Sequence, residues 1–129
     1  TTYRVSEHWQ AGAMTRNIPW LAELVPDVFV ELGIDLARQK NIENGDRVVI
    51  ETARGSMEAY ALVTRRFEPF RLNGKLVHEI GVIWHFGYNG LARGDSANML
   101  TSHIGDANTM IPEYKAFLCN VYKKEGGAA

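Results

Sequence analysis

The sequence predicts a mainly β domain with short helices, closed into a barrel with helical insertions. Three observations carry this. Short runs with two-residue alternation recur along the chain, which is the period of a half-buried strand. One of the breaks between them, Arg54-Gly55, is a glycine turn of the hairpin kind, and Asn73-Gly74 marks another turn. Only two stretches carry a helical pattern, and both are short.

In order, residues 2–5 read as a short strand feeding an opening loop, Glu7-His8-Trp9-Gln10-Ala11-Gly12-Ala13-Met14-Thr15-Arg16-Asn17, that has neither helical nor strand period. Pro19 and Pro26 bracket an apolar helical turn, since proline suits a helix start and a stop beyond its end. Residues 27–32 alternate, with Val28, Val30 and Leu32 on one face and Phe29 and Glu31 on the other. Gly33 breaks the strand. Residues 34–40 read as a helix with Asp35 in its first turn and Arg38 and Lys40 in its last, an order that complements the helix dipole. Asn44-Gly45 turns the chain into paired strands at 47–52 and 56–65. A further strand run covers 76–80 and extends towards Trp84. Residues 84–94 are a glycine-rich aromatic loop, Asp95 or Ser96 caps a turn through Leu100, and 102–110 is loop again. Residues 112–115 read as a helical turn and 117–122 as the closing strand.

At 129 residues, 46% hydrophobic and 22% charged, the composition fits one globular domain. We assign it to residues 1–125 and read 126–129, Gly-Gly-Ala-Ala, as a disordered tail. A formal net charge of -1 argues against bulk nucleic-acid binding. No run reaches the ~20 apolar residues of a membrane helix, and no secretory signal opens the chain. The start at Thr1-Thr2 is expected of a processed chain, a fragment or one domain of a longer polypeptide. The single cysteine, Cys119, excludes an internal disulfide or a cysteine-rich cluster and reads as a small buried hydrophobe. It fits a reducing compartment without fixing one, and cytoplasmic and periplasmic locations both stay open.

Catalytic signals are weak. His8 lies beside Glu7 and Trp9, but no serine or cysteine nucleophile stands at a persuasive spacing. His8, His78, His85 and His103 do not fall at metal-ligand spacings. The glycine loops lack the GxGxxG and Walker patterns. They offer instead amide side chains (Gln10, Asn89, Asn98 and Asn108) suited to heterocycle edges, and cations (Arg4, Arg16 and Lys115) suited to phosphate. The ordinary fate of any one such residue is to be solvated, and only their convergence makes a site. Trp9, Trp84, Phe86 and Tyr88 are candidates for stacking on a flat ring, whereas Trp20 reads as core.

Several of these pieces carry a resemblance. Thr2-Tyr3-Arg4-Val5-Ser6-Glu7-His8-Trp9, continued as Gly12-Ala13-Met14-Thr15-Arg16, resembles the start of the C-terminal domain of molybdopterin oxidoreductases, formate dehydrogenases and periplasmic nitrate reductases alike. Gly81-Val82-Ile83-Trp84-His85-Phe86-Gly87-Tyr88-Asn89-Gly90, Ala97-Asn98-Met99-Leu100-Thr101, Gly105-Asp106-Ala107-Asn108-Thr109 and Pro112-Glu113-Tyr114-Lys115 are similar to the large subunit of formate dehydrogenases. The resemblance spans nearly the whole chain and implies a closed, six-stranded double-psi β-barrel. It implies a domain that covers the bis(molybdopterin guanine dinucleotide) cofactor, with molybdenum or tungsten, within a subunit that oxidises formate to carbon dioxide. The partners it implies are the remaining domains of that catalytic subunit or other enzyme subunits.

By position, the resemblance implies cofactor contacts from the first loop, at Thr2, Arg4, Glu7, His8, Trp9, Gln10 and Ala11. It also implies contacts from Asn98 and Lys115, with Met14, Thr15, His85, Thr101 and Asn108 as further positions. No metal ligand or catalytic residue is implied in this chain, because the family's metal-binding cysteine or selenocysteine, its catalytic histidine and arginine, and its cluster cysteines have no counterpart here. The alternatives are a domain of a related nitrate or oxyanion reductase, and a stand-alone double-psi barrel binding module with no redox role.

Overall fold

The computed structural model describes residues 1–87 and 89–125. The stacking role expected of Tyr88 and the tail expected at 126–129 lie outside the described residues. Among the described residues eight strands form: β1 (Thr2–Tyr3), β2 (Phe29–Gly33), β3 (Arg47–Glu51), β4 (Ser56–Thr64), β5 (Phe70–Leu72), β6 (Lys75–Val77), β7 (Ile80–Ile83) and β8 (Asn120–Lys123). The helices α1 (Pro19–Leu24) and α2 (Ile34–Gln39) stand where the sequence predicts them, with Pro19 opening α1. The fold is mainly β with short helices.

Six strands make one mixed sheet in the order β1-β7-β2-β4-β3-β8, and β5 and β6 form a separate hairpin. The pairs β1/β7 and β2/β4 are parallel, and the remaining pairs are antiparallel. Among the described residues no ladder joins β1 to β8, so the pairing does not show the expected closed barrel. Both edge strands are short, and what meets β1 away from β7 is irregular chain. The Thr2 hydroxyl donates to the Tyr114 carbonyl (2.8 Å), and Lys115 Nζ donates to the Thr2 carbonyl (2.5 Å).

Other boundaries shift for local reasons. The predicted strand at 76–80 divides, because β6 pairs with β5 while β7 joins the main sheet. Residues 112–115 are not helical; Pro112 forms an isolated bridge to Gly105. The last strand starts only at Asn120, which leaves Cys119 exposed rather than buried. Trp20 is 68% exposed, since α1 turns Ala22 and not its tryptophan inward.

The core is built from alternate residues of the central strands: Val30 and Leu32 of β2, Val48 and Ile50 of β3, Met57 and Ala59 of β4. The other face of β2 is covered too. Glu31 is buried, opposite Gly81 in the β2/β7 register. A Cβ at Gly81 would lie 2.5 Å from the Phe67 ring and 2.7 Å from the Tyr3 ring, and one at Gly33 would lie 1.9 Å from the Phe67 carbonyl. These two glycines leave the notch in which residues 64–67 fold back over the sheet. There the Glu31 carboxylate accepts from Arg66 Nε (2.7 Å), Arg66 Nη2, Thr64 Oγ1 (2.7 Å) and the Tyr3 hydroxyl (2.9 Å). A buried carboxylate with this set of donors stays ionised. Its pKa is held below the usual range, chiefly by the Arg66 hydrogen bonds, while burial and Glu31 together push the Tyr3 phenol up.

Glu31→Gln removes the charge and turns one acceptor into a donor facing donors. Denaturant titration at neutral pH is expected to show a loss of about 2 kcal/mol, the size of a hydrogen-bond set to a charged group. Because the folded pKa is lowered, the wild-type contribution is present above the unfolded carboxylate value of about 4.3 and is lost as pH falls through the folded one. The variant should therefore start less stable and show a shallower acid limb.

Candidate functional site

Parallel pairing of β1 with β7, in the register Thr2↔Val82 and Tyr3↔Ile83, sends the chain out of both strands at the same end of the sheet. The opening loop and the 84–94 loop therefore meet, and His85 joins them. Its buried ring accepts the Val5 N–H at Nε2 (3.0 Å) and places Nδ1 2.5 Å from the Gln10 carbonyl. A carbonyl only accepts, so Nδ1 carries the proton and the ring is neutral.

His8 repeats the arrangement. Its Nε2 donates to the Val25 carbonyl (3.0 Å), and its Nδ1 lies 3.2 Å from the Thr15 hydroxyl. That hydroxyl also accepts the Trp9 N–H (3.1 Å). The His8 ring meets Phe86 edge-on at 5.4 Å between centroids. Gly12, at φ +74°, packs so closely that a Cβ would lie 2.2 Å from the His85 carbonyl. Arg16 does not face outward to phosphate. It is buried, its Nη1 donates to the Ala92 carbonyl (3.4 Å), and its guanidinium lies 5.9 Å from the Phe86 ring centre.

A second group gathers at Thr2, which is itself buried. Tyr114 and Lys115 both bond to it, and the Tyr114 hydroxyl donates to Asn98 Oδ1 (2.7 Å). Asn98 stands in a short 3-10 turn, Ala97–Leu100, capped by the Ser96 hydroxyl accepting the Asn98 N–H (3.2 Å). The Ser96 side chain in turn fills the space that a Cβ at Gly87 would need, which ties this turn to the 84–94 loop. Residues from the first strand and from 87–115 thus share one rim.

The predicted site residues divide by exposure. His8, Thr15 and His85 have their ring nitrogens or hydroxyl engaged within the loop, and Thr2 is engaged with residues 114–115. Outward stand Arg4, Gln10, Ala11, Asn98 and Lys115, with Trp9 57% and Met14 63% exposed. Arg4 and the half-buried Glu7 line a surface cleft that also touches the Glu31–Arg66 pair. The Thr101 hydroxyl donates to the Asn98 carbonyl (3.4 Å). Asn108 stands apart in the 105–112 loop, its N–H held by Asp106 Oδ1 (3.0 Å). Among the described residues no cluster of three or more His, Cys, Asp or Glu is placed to hold a metal ion, and no helix is long and apolar enough to cross a membrane. Residue-level reading missed Tyr114. Its only signal was its place inside Pro-Glu-Tyr-Lys, beside a residue singled out for its charge.

Burial holds the His85 pKa below its ordinary value, opposed in part by the Gln10 carbonyl. The unfolded chain takes up a proton near pH 6.5 that the folded ring refuses. Stability from this ring is therefore complete above about pH 6.5 and is lost as pH falls towards the lowered folded value. Thermal unfolding between pH 7 and 5 should show that slope, and His85→Gln, which cannot titrate there, should flatten it.

Residues 1–118 match the family described as "Molydopterin dinucleotide binding domain". The chain is 50% identical over 127 residues to the formate dehydrogenase subunit alpha of Megalodesulfovibrio gigas, covering 95% of this chain and 12% of that protein. It is 46% identical over 125 residues to formate dehydrogenase 2 subunit alpha (cytochrome c-553) of Nitratidesulfovibrio vulgaris, covering 97% and 12%. The periplasmic nitrate reductase of Desulfovibrio desulfuricans is 39% identical over 69 residues, covering 54% of this chain and 9% of that protein. Among solved structures, acetylene hydratase from Pelobacter acetylenicus superposes with a TM-score of 0.69 at 16% identity, over 95% of this chain and 18% of that one, a likeness of fold alone. The chain thus spans about 12% of the length of the two formate dehydrogenase subunits. With the family's description matched over residues 1–118, this chain belongs to the molybdopterin dinucleotide binding domain family.

Proposed function

We propose that this chain is the cofactor-covering domain of a formate dehydrogenase catalytic subunit, and that its rim binds the bis(molybdopterin guanine dinucleotide) with molybdenum as the metal. The observation that carries this is the convergence on Thr2 of Lys115, 113 residues away, and of Asn98 through Tyr114. The donor set fits the group. Pyrophosphate calls for cations, which Lys115 and the exposed Arg4 supply, and the pterin and guanine edges call for amides, which Asn98, Gln10 and Asn108 supply. Exposed Trp9 and Met14 offer apolar surface to flat rings. Exposed Ala11 and the half-buried Glu7 and Thr101 complete the contacts, while Thr2, His8, Thr15 and His85 hold the loops in shape.

When bound, the metal–dithiolene group supplies the two-electron chemistry, and this chain supplies binding and orientation. The metal ligand and the residues that touch formate come from the remaining domains of the subunit, which are the partners of this one. Residues 1–125 form the domain and 126–129 its tail. The fold belongs with double-psi barrels, a reading supported by the two parallel pairs and by residues 114–115 lying against the free side of β1.

Full-length subunit carrying Asn98→Ala and Lys115→Ala should lose most of its cofactor on gel filtration, by metal analysis and by guanine nucleotide released on acid hydrolysis. Loss of one charge-assisted bond alone weakens retention roughly 10- to 100-fold. Full cofactor content in the double variant would defeat the assignment, and tungsten in the wild-type subunit would correct the metal. The relative named as a nitrate reductase favours a second reading, reduction of nitrate. The wild-type subunit assayed with formate and with nitrate separates the two.

A further inference from the structure

We propose that Tyr114 is a positioning residue that locks the Asn98 amide with its NH2 group turned outward, so that the cofactor atom facing Asn98 is a hydrogen-bond acceptor. This rests on the cofactor reading above. The backbone of Asn98 is already fixed: its N–H meets the Ser96 hydroxyl (3.2 Å), its carbonyl accepts the Thr101 N–H (3.4 Å), and its neighbours Ala97 and Leu100 are buried. Only the side-chain torsions remain free, and the Tyr114 hydroxyl takes them at 2.7 Å.

Tyr114 is well placed to do so. It is half-buried, its carbonyl accepts from the hydroxyl of buried Thr2 (2.8 Å), and the next residue, Lys115, is tied to the carbonyl of the same threonine (2.5 Å). Burial pushes the phenol pKa up, so the hydroxyl keeps its proton and stays a donor. An amide has one acceptor end and one donor end. With Oδ1 occupied, the Nδ2 hydrogens are what Asn98 presents. The matching ligand atom is a phosphate oxygen, a carbonyl oxygen or an unprotonated ring nitrogen, and not a ring N–H or an amino group. Fixing a rotatable amide before binding removes an ordering cost from the binding step.

The test has two parts. By NMR on the 129-residue chain, Tyr114→Phe should leave backbone amide shifts in the central strands unchanged and raise the picosecond-to-nanosecond mobility of the Asn98 side-chain amide. In the full-length holo subunit, Tyr114→Phe should speed cofactor loss roughly three- to ten-fold, the worth of one neutral hydrogen bond, and should add nothing in an Asn98→Ala background. Asn98→Asp, which turns a carboxylate oxygen towards the ligand acceptor, should lose cofactor faster than Asn98→Ala. Unchanged Asn98 side-chain mobility in Tyr114→Phe, or an equal loss in the Asn98→Ala background, overturns the positioning role. Asn98→Asp no worse than Asn98→Ala overturns the acceptor assignment. If Asn98→Ala itself keeps all its cofactor, the functional reading falls, and the NMR comparison still decides whether Tyr114 holds the amide.

Discussion

The rim where the opening loop meets the 84–94 loop depends on one neutral imidazole. The opening loop has no strand partner beyond Tyr3, so its buried backbone groups need bonds from elsewhere. His85 provides one acceptor and one donor on opposite edges of a rigid ring, and it spends them on the Val5 N–H and the Gln10 carbonyl. That spans the first half of the loop and fixes it to the strand from which His85 itself emerges. Gln10 then takes a positive φ, and Gly12 comes against the His85 carbonyl where no other residue fits. The chain turns there so that Arg16 runs inward beneath the 84–94 loop. The Arg16 carbonyl accepts from Leu91 and Ala92, and its guanidinium reaches back to the Ala92 carbonyl. Protonating His85 would convert the acceptor edge into a donor facing the Val5 N–H, and burial, which holds its pKa down, favours the neutral ring that this bond needs.

The opposite face of the sheet solves a related problem with a charge. Glu31 sits in the middle of β2, where a carboxylate without partners would be costly. Gly81 across the ladder and Gly33 two residues on leave the space, Phe67 and Tyr3 roof it, and Arg66 reaches in from a largely exposed position. The two buried devices share one strand pair. Tyr3 belongs to β1, which pairs with β7, and β7 leads directly into His85. Register at β1/β7 therefore governs both the Glu31 cluster and the loop junction, so the two-residue strand β1 matters more than its length suggests.

Much of the strand framework was legible because its signals are local. The alternation of Val28, Val30 and Leu32, the Asn73-Gly74 turn and the prolines around α1 each state a backbone preference that tertiary structure left in place. Glu31 was not legible: alternation put it on the face opposite the core, and its burial is made tolerable by Arg66, thirty-five residues away, with Thr64 and Tyr3. Trp20 erred the other way, because its size argued for core while α1 is too short to bury more than one side. The helical turn at 112–115 was overestimated, and the strand pairing does not show the closure expected of the barrel. Both depend on what the irregular chain after Leu100 does, and that segment is shaped by isolated bonds rather than by period. Asn98 and Lys115 were singled out by resemblance. Chemically each is an ordinary exposed polar residue until Thr2 and Tyr114 are seen to hold them.

The rim therefore separates fixed from free in an unusual way for a loop region. Its backbone and its inward side chains, His8, Thr15, Arg16 and His85, are tied by short, specific bonds, whereas Trp9 and Met14 project from that fixed frame with most of their surface open. Loops ordinarily bring affinity at the cost of being ordered on binding. Here the ordering belongs to folding, through histidines and a threonine that need no ligand to make their bonds. Such a frame fixes where its outward groups point, and under the proposed function it does so before the cofactor arrives. Position along the opening motif is thus a poor guide to exposure. Neighbouring residues such as His8 and Trp9 divide into one that builds the surface and one that is the surface.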